Sequence, residues 1–100
     1  MRSFGRFEKR VAMAVPVYLG SLGDPRAPER ALTENVSPHG ARVSTERLWR
    51  LDEEPLITPL TNEIQLSARV VYCRPLTNGR FSVGLEFRER SVDWAKWPRG

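Results

Sequence analysis

Residues 69–87, RVVYCRPLTNGRFSVGLEF, form the stretch that decides the fold. Apolar residues alternate with other residues on both sides of its central turn, and the first run begins upstream of residue 69. The runs are Ile64, Leu66, Ala68, Val70 and Tyr72 before the turn, and Phe81, Val83, Leu85 and Phe87 after it. A period of two is typical of β-strands that bury one face. Between the two runs lies PLTNG, in which Asn78 and Gly79 suit the positive φ angles of a hairpin loop. The stretch therefore predicts a β-hairpin.

The same period of two extends upstream of the hairpin. The apolar face of a first strand consists of Val11, Met13, Val15, Val17 and Leu19. A loop rich in Gly and Pro, GSLGDPRAPER, follows at residues 20–30. We expect a short second strand at 31–35 and a third at 41–47. Two prolines and an acidic cluster interrupt residues 48–60, LWRLDEEPLITPL, which predicts a loop with a short strand fragment.

The C-terminal stretch RSVDWAKWPRG, residues 90–100, changes its period. Ser91 is a suitable N-cap, Trp94 and Trp97 lie three positions apart on one helical face, and Pro98 cannot continue a helix. We expect a short α-helix at about 91–97 that packs two indole rings on an apolar surface. Short antiparallel strands with one small helix predict an all-β fold, a small closed or nearly closed barrel, because closure removes exposed strand edges.

Composition favours a binding module over an enzyme. The single His and the single Cys cannot build a usual zinc site, and no HExxH, CxxC, GxSxG or phosphate-loop pattern occurs. The acidic run 52–54 is more typical of a solvated loop edge than of an acid/base pair. We therefore expect no catalytic residue, no metal ion and no cofactor.

The charge of the chain indicates an anionic partner without requiring one. The formal net charge is +4, and Arg supplies every positive side chain except Lys9 and Lys96. The planar fork of Arg matches phosphate oxygens and the guanine edge, although an Arg bias can also reflect genome composition. The lone Cys73 cannot form an intramolecular disulfide, which favours a reducing compartment, and we expect a cytoplasmic location. No apolar stretch is long enough to span a bilayer, so no membrane insertion is expected.

Two short motifs point to a function. Arg6-x-x-x-Arg10 lies immediately before the first apolar strand, and Asn35-x-Ser37-x-x-Gly40 lies in the turn after the second. In this order, with a strand between them and the hairpin and terminal helix behind them, they resemble the PilZ domain family of bacterial cyclic di-GMP receptors. The resemblance covers nearly the whole chain. It implies a six-stranded barrel and a non-catalytic receptor that acts on a downstream protein in motility or biofilm formation.

The residue types suit that ligand, a dianion with two guanines. A guanidinium at Arg6 or Arg10 can bind guanine O6 and N7, clamp a phosphate or stack on a ring, and the resemblance implies these roles for both. Asn35 offers an acceptor and a donor to a guanine edge, and Ser37 a hydroxyl. Gly40 permits a positive φ and a close approach of ligand to the main chain. His39 and Tyr72 are secondary candidates; alternation places Tyr72 on the core face unless a bulge intervenes.

We expect residues 1–10 to be a flexible segment that carries RxxxR and folds over the nucleotide, beside a barrel domain at 11–100. A partner would then recognise the newly ordered surface. Three alternatives remain open. The polar groups of the turn can simply bond their own backbone. The chain can be a ligand-free interaction module of motility or secretion machinery. It can also be a small barrel for single-stranded nucleic acid, although Glu residues interrupt any continuous basic groove, so we expect no nucleic acid polymer as partner.

Overall fold

A closed β-barrel accounts for most of the structure, a computed structural model that describes residues 8–61 and 63–98. Within those residues six strands pair antiparallel in the order β1-β2-β3-β6-β5-β4, and β4 returns to β1. The strands are β1 (Pro16–Gly20), β2 (Glu29–Ser37), β3 (Gly40–Thr45), β4 (Leu56–Pro59), β5 (Leu66–Pro75) and β6 (Phe81–Phe87). The expected all-β barrel is confirmed, and every strand has a hydrogen-bonded neighbour on both sides.

The barrel interior is filled by the alternating apolar residues of the strands. Fully buried side chains from five strands meet there, and they include Val17, Leu19, Val43, Ile57, Val70, Val83 and Leu85. Full burial of each such side chain stabilises the fold by roughly 1.5–3 kcal/mol relative to exposure. Hydrophobic burial along a period of two is therefore what specifies the barrel.

The first strand is shorter than the alternation predicts. Regular pairing begins at Pro16, and Val11 instead forms an isolated antiparallel bridge with Val36. Between Val11 and Pro16, the side chain of Thr33 replaces part of the backbone hydrogen bonding to β2. Its hydroxyl donates to Met13 O at 2.6 Å and accepts from Val15 N at 2.8 Å. Residues 8–15, which we call the N-terminal arm, thus lie along β2 without forming a regular strand.

The predicted hairpin is present, with one difference in its loop. Of the two loop residues expected at positive φ, only Gly79 adopts it, at 83°. The side chain of Asn78 instead accepts a hydrogen bond from Arg80 N at 3.0 Å. Asn78 therefore stabilises the loop through its carboxamide rather than through an unusual backbone angle.

The predicted C-terminal α-helix is wrong. The chain forms only a 3₁₀ turn at Trp94–Lys96, and its cap is Asp93, which accepts from Ala95 N at 3.1 Å, rather than Ser91. A longer helix does not form because Val92 N is bonded to Pro38 O, which holds the preceding backbone against the barrel. Trp94 and Trp97 are nonetheless both buried, as the apolar spacing predicts. Within the described part of the chain, no helix has the length and apolar character needed to cross a membrane.

Candidate functional site

The two motifs meet on the outer surface of the barrel. Arg10 Nη1 donates to Asn35 Oδ1 at 2.8 Å, in a partly buried contact between residues 25 positions apart. Next to it, Val11 and Val36 exchange two backbone hydrogen bonds of 2.9 Å each. The barrel thus brings the second Arg of RxxxR onto the first residue of NxSxxG. Arg6 lies outside the described residues.

The turn at the end of β2 is a two-residue loop. Ser37 pairs with Gly40, and Pro38 and His39 connect them. Gly40 does not use the positive φ that a glycine permits: among the described residues, the positive-φ glycines are Gly23 and Gly79. Gly40 can take an ordinary extended conformation because it is the first residue of β3 and pairs with Glu86 on its other side.

The three carbonyl groups of this turn all accept hydrogen bonds from the end of β6 or from residues 88–98 after it, which we call the C-terminal segment. Ser37 O accepts from Trp94 Nε1 at 2.7 Å, Pro38 O accepts from Val92 N at 2.7 Å, and His39 O accepts from Phe87 N at 2.9 Å. Such complete pairing fixes the backbone of the turn before any ligand arrives. The C-terminal segment, whose packing the sequence predicts but whose bonding it does not, is therefore a structural support of the site.

The opposite side of the turn faces the N-terminal arm. His39 N donates to Glu8 Oε1 at 3.1 Å, and the His39 ring contacts Glu8 Oε2 through Nδ1. A carboxylate can only accept, so Nδ1 carries the proton in this pair. The Ser37 hydroxyl also lies near the Glu8 carboxylate, yet it is buried and makes no hydrogen bond of normal geometry within the described residues.

The pKa of Glu8 reflects this contact. Partial burial would raise it, but the hydrogen bonds from the His39 side chain and backbone outweigh that effect, so the pKa of Glu8 lies below its ordinary value of 4.5. A carboxyl whose pKa is lowered in the fold stabilises the fold above its unfolded pKa, and loses that contribution as the pH falls through the lowered value. The arm is therefore held to the turn at neutral pH by an ionised Glu8.

Two β-bulges align further residues on the same outer face. One lies in β2 between Thr33 and Asn35, and the other lies in β5 between Val70 and Tyr72. Each adds one residue to its strand and so reverses the facing of the residues that follow. The second bulge is the exception under which Tyr72 leaves the core face, and the ring is indeed half-buried on the outside of the barrel.

A row of residues now crosses four neighbouring strands. Asn35 on β2 pairs with Arg42 on β3, Arg42 pairs with Gly84 on β6, and Gly84 pairs with Tyr72 on β5. Three strand spacings separate its ends, about 14 Å along the sheet. The row puts Tyr72 on the same surface as Asn35 and Arg10, although not in contact with them.

The charges around this row include residues that sequence reasoning missed. Arg42 forms an ion pair with Glu34 at 2.9 Å, so much of its charge is compensated. Arg74 lies over the Tyr72 ring, 4.7 Å from its centroid, and is exposed. An Arg two positions after an aromatic residue is a signal for such stacking, but only once the bulge has turned both side chains outward.

The described residues contain no group of three or more His, Cys, Asp or Glu side chains able to hold a metal ion.

Gly84→Ala tests whether Tyr72 packs on the sheet as described. A Cβ at position 84 would lie 2.2 Å from Cε2 of Tyr72, so the ring must leave the sheet surface. We expect a loss of about 1–3 kcal/mol in the free energy of unfolding, measured by urea denaturation. In a Tyr72→Ala background the same substitution should be neutral or stabilising, since Ala fits a strand better than Gly. An equal loss in both backgrounds would contradict the packing.

Comparison with known proteins identifies related chains. A family model described as "PilZ domain" matches residues 4–94. The structure of Bacillus subtilis Inhibitor of motility (MotI/DgrA) superposes with a TM-score of 0.68 at 21% sequence identity, covering 92% of this chain and 46% of that one. The chain thus spans about half the length of that protein, and at this identity the likeness shows the fold. A search of curated proteins gives no match.

Proposed function

The chain belongs to the PilZ domain family, and from that membership we propose that it is a receptor for cyclic di-GMP. PilZ domains are non-enzymatic binding domains and generally bind this nucleotide. The observation that carries the proposal is the hydrogen bond from Arg10 to Asn35, which sets the two motifs side by side on one outer surface. Supporting it, the backbone of the adjoining turn is fixed by the C-terminal segment.

Each group in the proposed site has a separate task. Arg10 donates to Asn35, and its planar guanidinium has the geometry to bind a guanine edge or a phosphate when the ligand arrives. Asn35 can present its amide hydrogens to guanine O6 while its oxygen holds Arg10. Arg6 supplies a second cation by the same chemistry. Tyr72 and the Arg74 guanidinium above it offer flat surfaces on which a base can stack.

Signalling requires a change that a partner can recognise. We keep the proposal that the segment carrying RxxxR becomes ordered over the nucleotide, and that a downstream protein binds the resulting surface. We place this exchange in the cytoplasm, where PilZ domains generally act. The fold is shared with a protein described as an inhibitor of motility, so a component of motility machinery is the partner class to test first.

Titration calorimetry with cyclic di-GMP tests the receptor function and gives the stoichiometry, one nucleotide or a stacked pair. We expect binding that weakens with salt and that strongly exceeds binding of cyclic di-AMP, since adenine reverses the donor and acceptor pattern of guanine. Equal curves for the two nucleotides would rule out guanine recognition. No binding of either would favour the ligand-free interaction module, which the same fold also supports.

A further inference from the structure

The Glu8 carboxylate occupies the donor side of the NxSxxG turn. Its two oxygens accept from His39 N and from the His39 ring, and no other residue of the described chain forms a hydrogen bond to these two donors. We call these two donors the anion seat. Pro38 has no N–H, and the turn carbonyls are all bonded on the opposite side. The anion seat is therefore the part of the turn where an oxyanion can bind.

A carboxylate and a phosphate can both bind at the anion seat. Both present acceptor oxygens with negative charge, and both form short, strong hydrogen bonds to N–H donors. The Ser37 hydroxyl is buried and lies near the same carboxylate without a hydrogen bond of normal geometry, so it can donate to an anion oxygen that approaches it more closely. Glu8 lies two positions before Arg10, so an anion that replaced it would arrive beside the guanidinium already held by Asn35.

Resting on the proposed function, we propose that Glu8 is an intramolecular competitor of the ligand: its carboxylate fills the anion seat in the free protein, and a phosphate of the cyclic dinucleotide displaces it. Displacement releases Glu8 from the turn, and the segment that carries RxxxR then becomes ordered over the bound nucleotide instead. The affinity of the receptor is then set partly by a residue that makes no contact with the bound ligand.

Glu8→Ala and Glu8→Gln test this competition, with Glu46→Ala as the matched control. Glu46 is exposed, pairs only weakly with Arg80 and lies about 20 Å from the turn along β3. Its loss changes net charge as the loss of Glu8 does. By calorimetry at fixed salt, we expect Glu8→Ala to bind cyclic di-GMP about three- to tenfold more tightly than the unsubstituted protein. Glu8→Gln should show a smaller gain, because an amide still accepts, and Glu46→Ala should show none.

Unchanged or weaker binding by Glu8→Ala would overturn the proposal and make Glu8 a structural support of the arm. If neither the unsubstituted protein nor any variant binds the nucleotide, the receptor function is wrong. Titration with inorganic pyrophosphate then tests the anion seat by itself. The His39 amide resonance should respond at lower pyrophosphate concentration in Glu8→Ala than in the unsubstituted protein and Glu46→Ala. Equal responses, or none, would reject the anion seat itself.

Discussion

Arg10→Ala should weaken the binding of cyclic di-GMP about tenfold to a hundredfold. A bidentate contact from a guanidinium to a guanine edge is worth roughly 1–3 kcal/mol, which corresponds to that range in affinity. The substitution also removes the donor at 2.8 Å from Asn35 Oδ1, so the carboxamide loses the contact that orients it. Both effects act in the same direction. Calorimetry at one salt concentration measures the sum.

Two further variants separate geometry from charge. Arg10→Lys keeps the charge but not the planar fork, and should lose most of the same affinity. Arg26→Ala removes one positive charge from an exposed residue of the β1–β2 loop, where Arg26 pairs with Asp24, and should leave binding unchanged. Full binding by Arg10→Lys would show that Arg10 contributes only charge. A loss in Arg26→Ala equal to that in Arg10→Ala would show that the ligand senses net charge rather than a site.

The barrel could be predicted because hydrophobic alternation acts locally along each strand. Val83, Leu85 and Phe87 are buried at every second position, as are Val17 and Leu19, and these runs determine which face is inside. Both motifs likewise lie at fixed spacings that the sequence displays. The contact of Arg10 with Asn35 then follows from pairing of Val11 with Val36, which brings the arm beside the end of β2.

The remaining parts of the site depend on tertiary contacts that alternation does not encode. The bulge before Tyr72 reverses the facing of a residue that shares its parity with Leu66, Ala68 and Val70. Glu8 lies inside RxxxR, where the motif assigns it no role, and its partner His39 is 31 positions away. The terminal segment shortens to a 3₁₀ turn because Val92 N is bonded to Pro38 O and the Trp94 indole to Ser37 O, both in the turn after β2. In each case a contact with a residue distant in the sequence determines the local conformation, and the local sequence does not.

Trp94→Ala should reduce the free energy of unfolding by about 3–5 kcal/mol. The indole is 5% exposed and lies against Phe87 and Trp97, with ring centroids 5.8 and 5.0 Å away. Its removal opens a cavity beside Phe87 and Trp97 and also removes the indole N–H that donates to Ser37 O. Small domains have only about 5–15 kcal/mol of stability in total, so this single change is a large fraction of it. Urea denaturation followed by circular dichroism measures the loss.

Trp94→Phe isolates the hydrogen bond from the packing, and Trp49→Phe is its matched control. Phe retains most of the apolar volume but has no N–H, so at position 94 the hydrogen bond to Ser37 O is lost, at a cost of about 0.5–1.5 kcal/mol. Trp49 is equally buried, yet its Nε1 bonds to nothing in the described structure, so loss of that N–H removes no hydrogen bond. We therefore expect Trp94→Phe to be the more destabilising of the two and, because Ser37 belongs to the turn, to weaken nucleotide binding as well. Equal losses of stability at both positions would show that the indole of Trp94 acts by volume alone and does not support the turn.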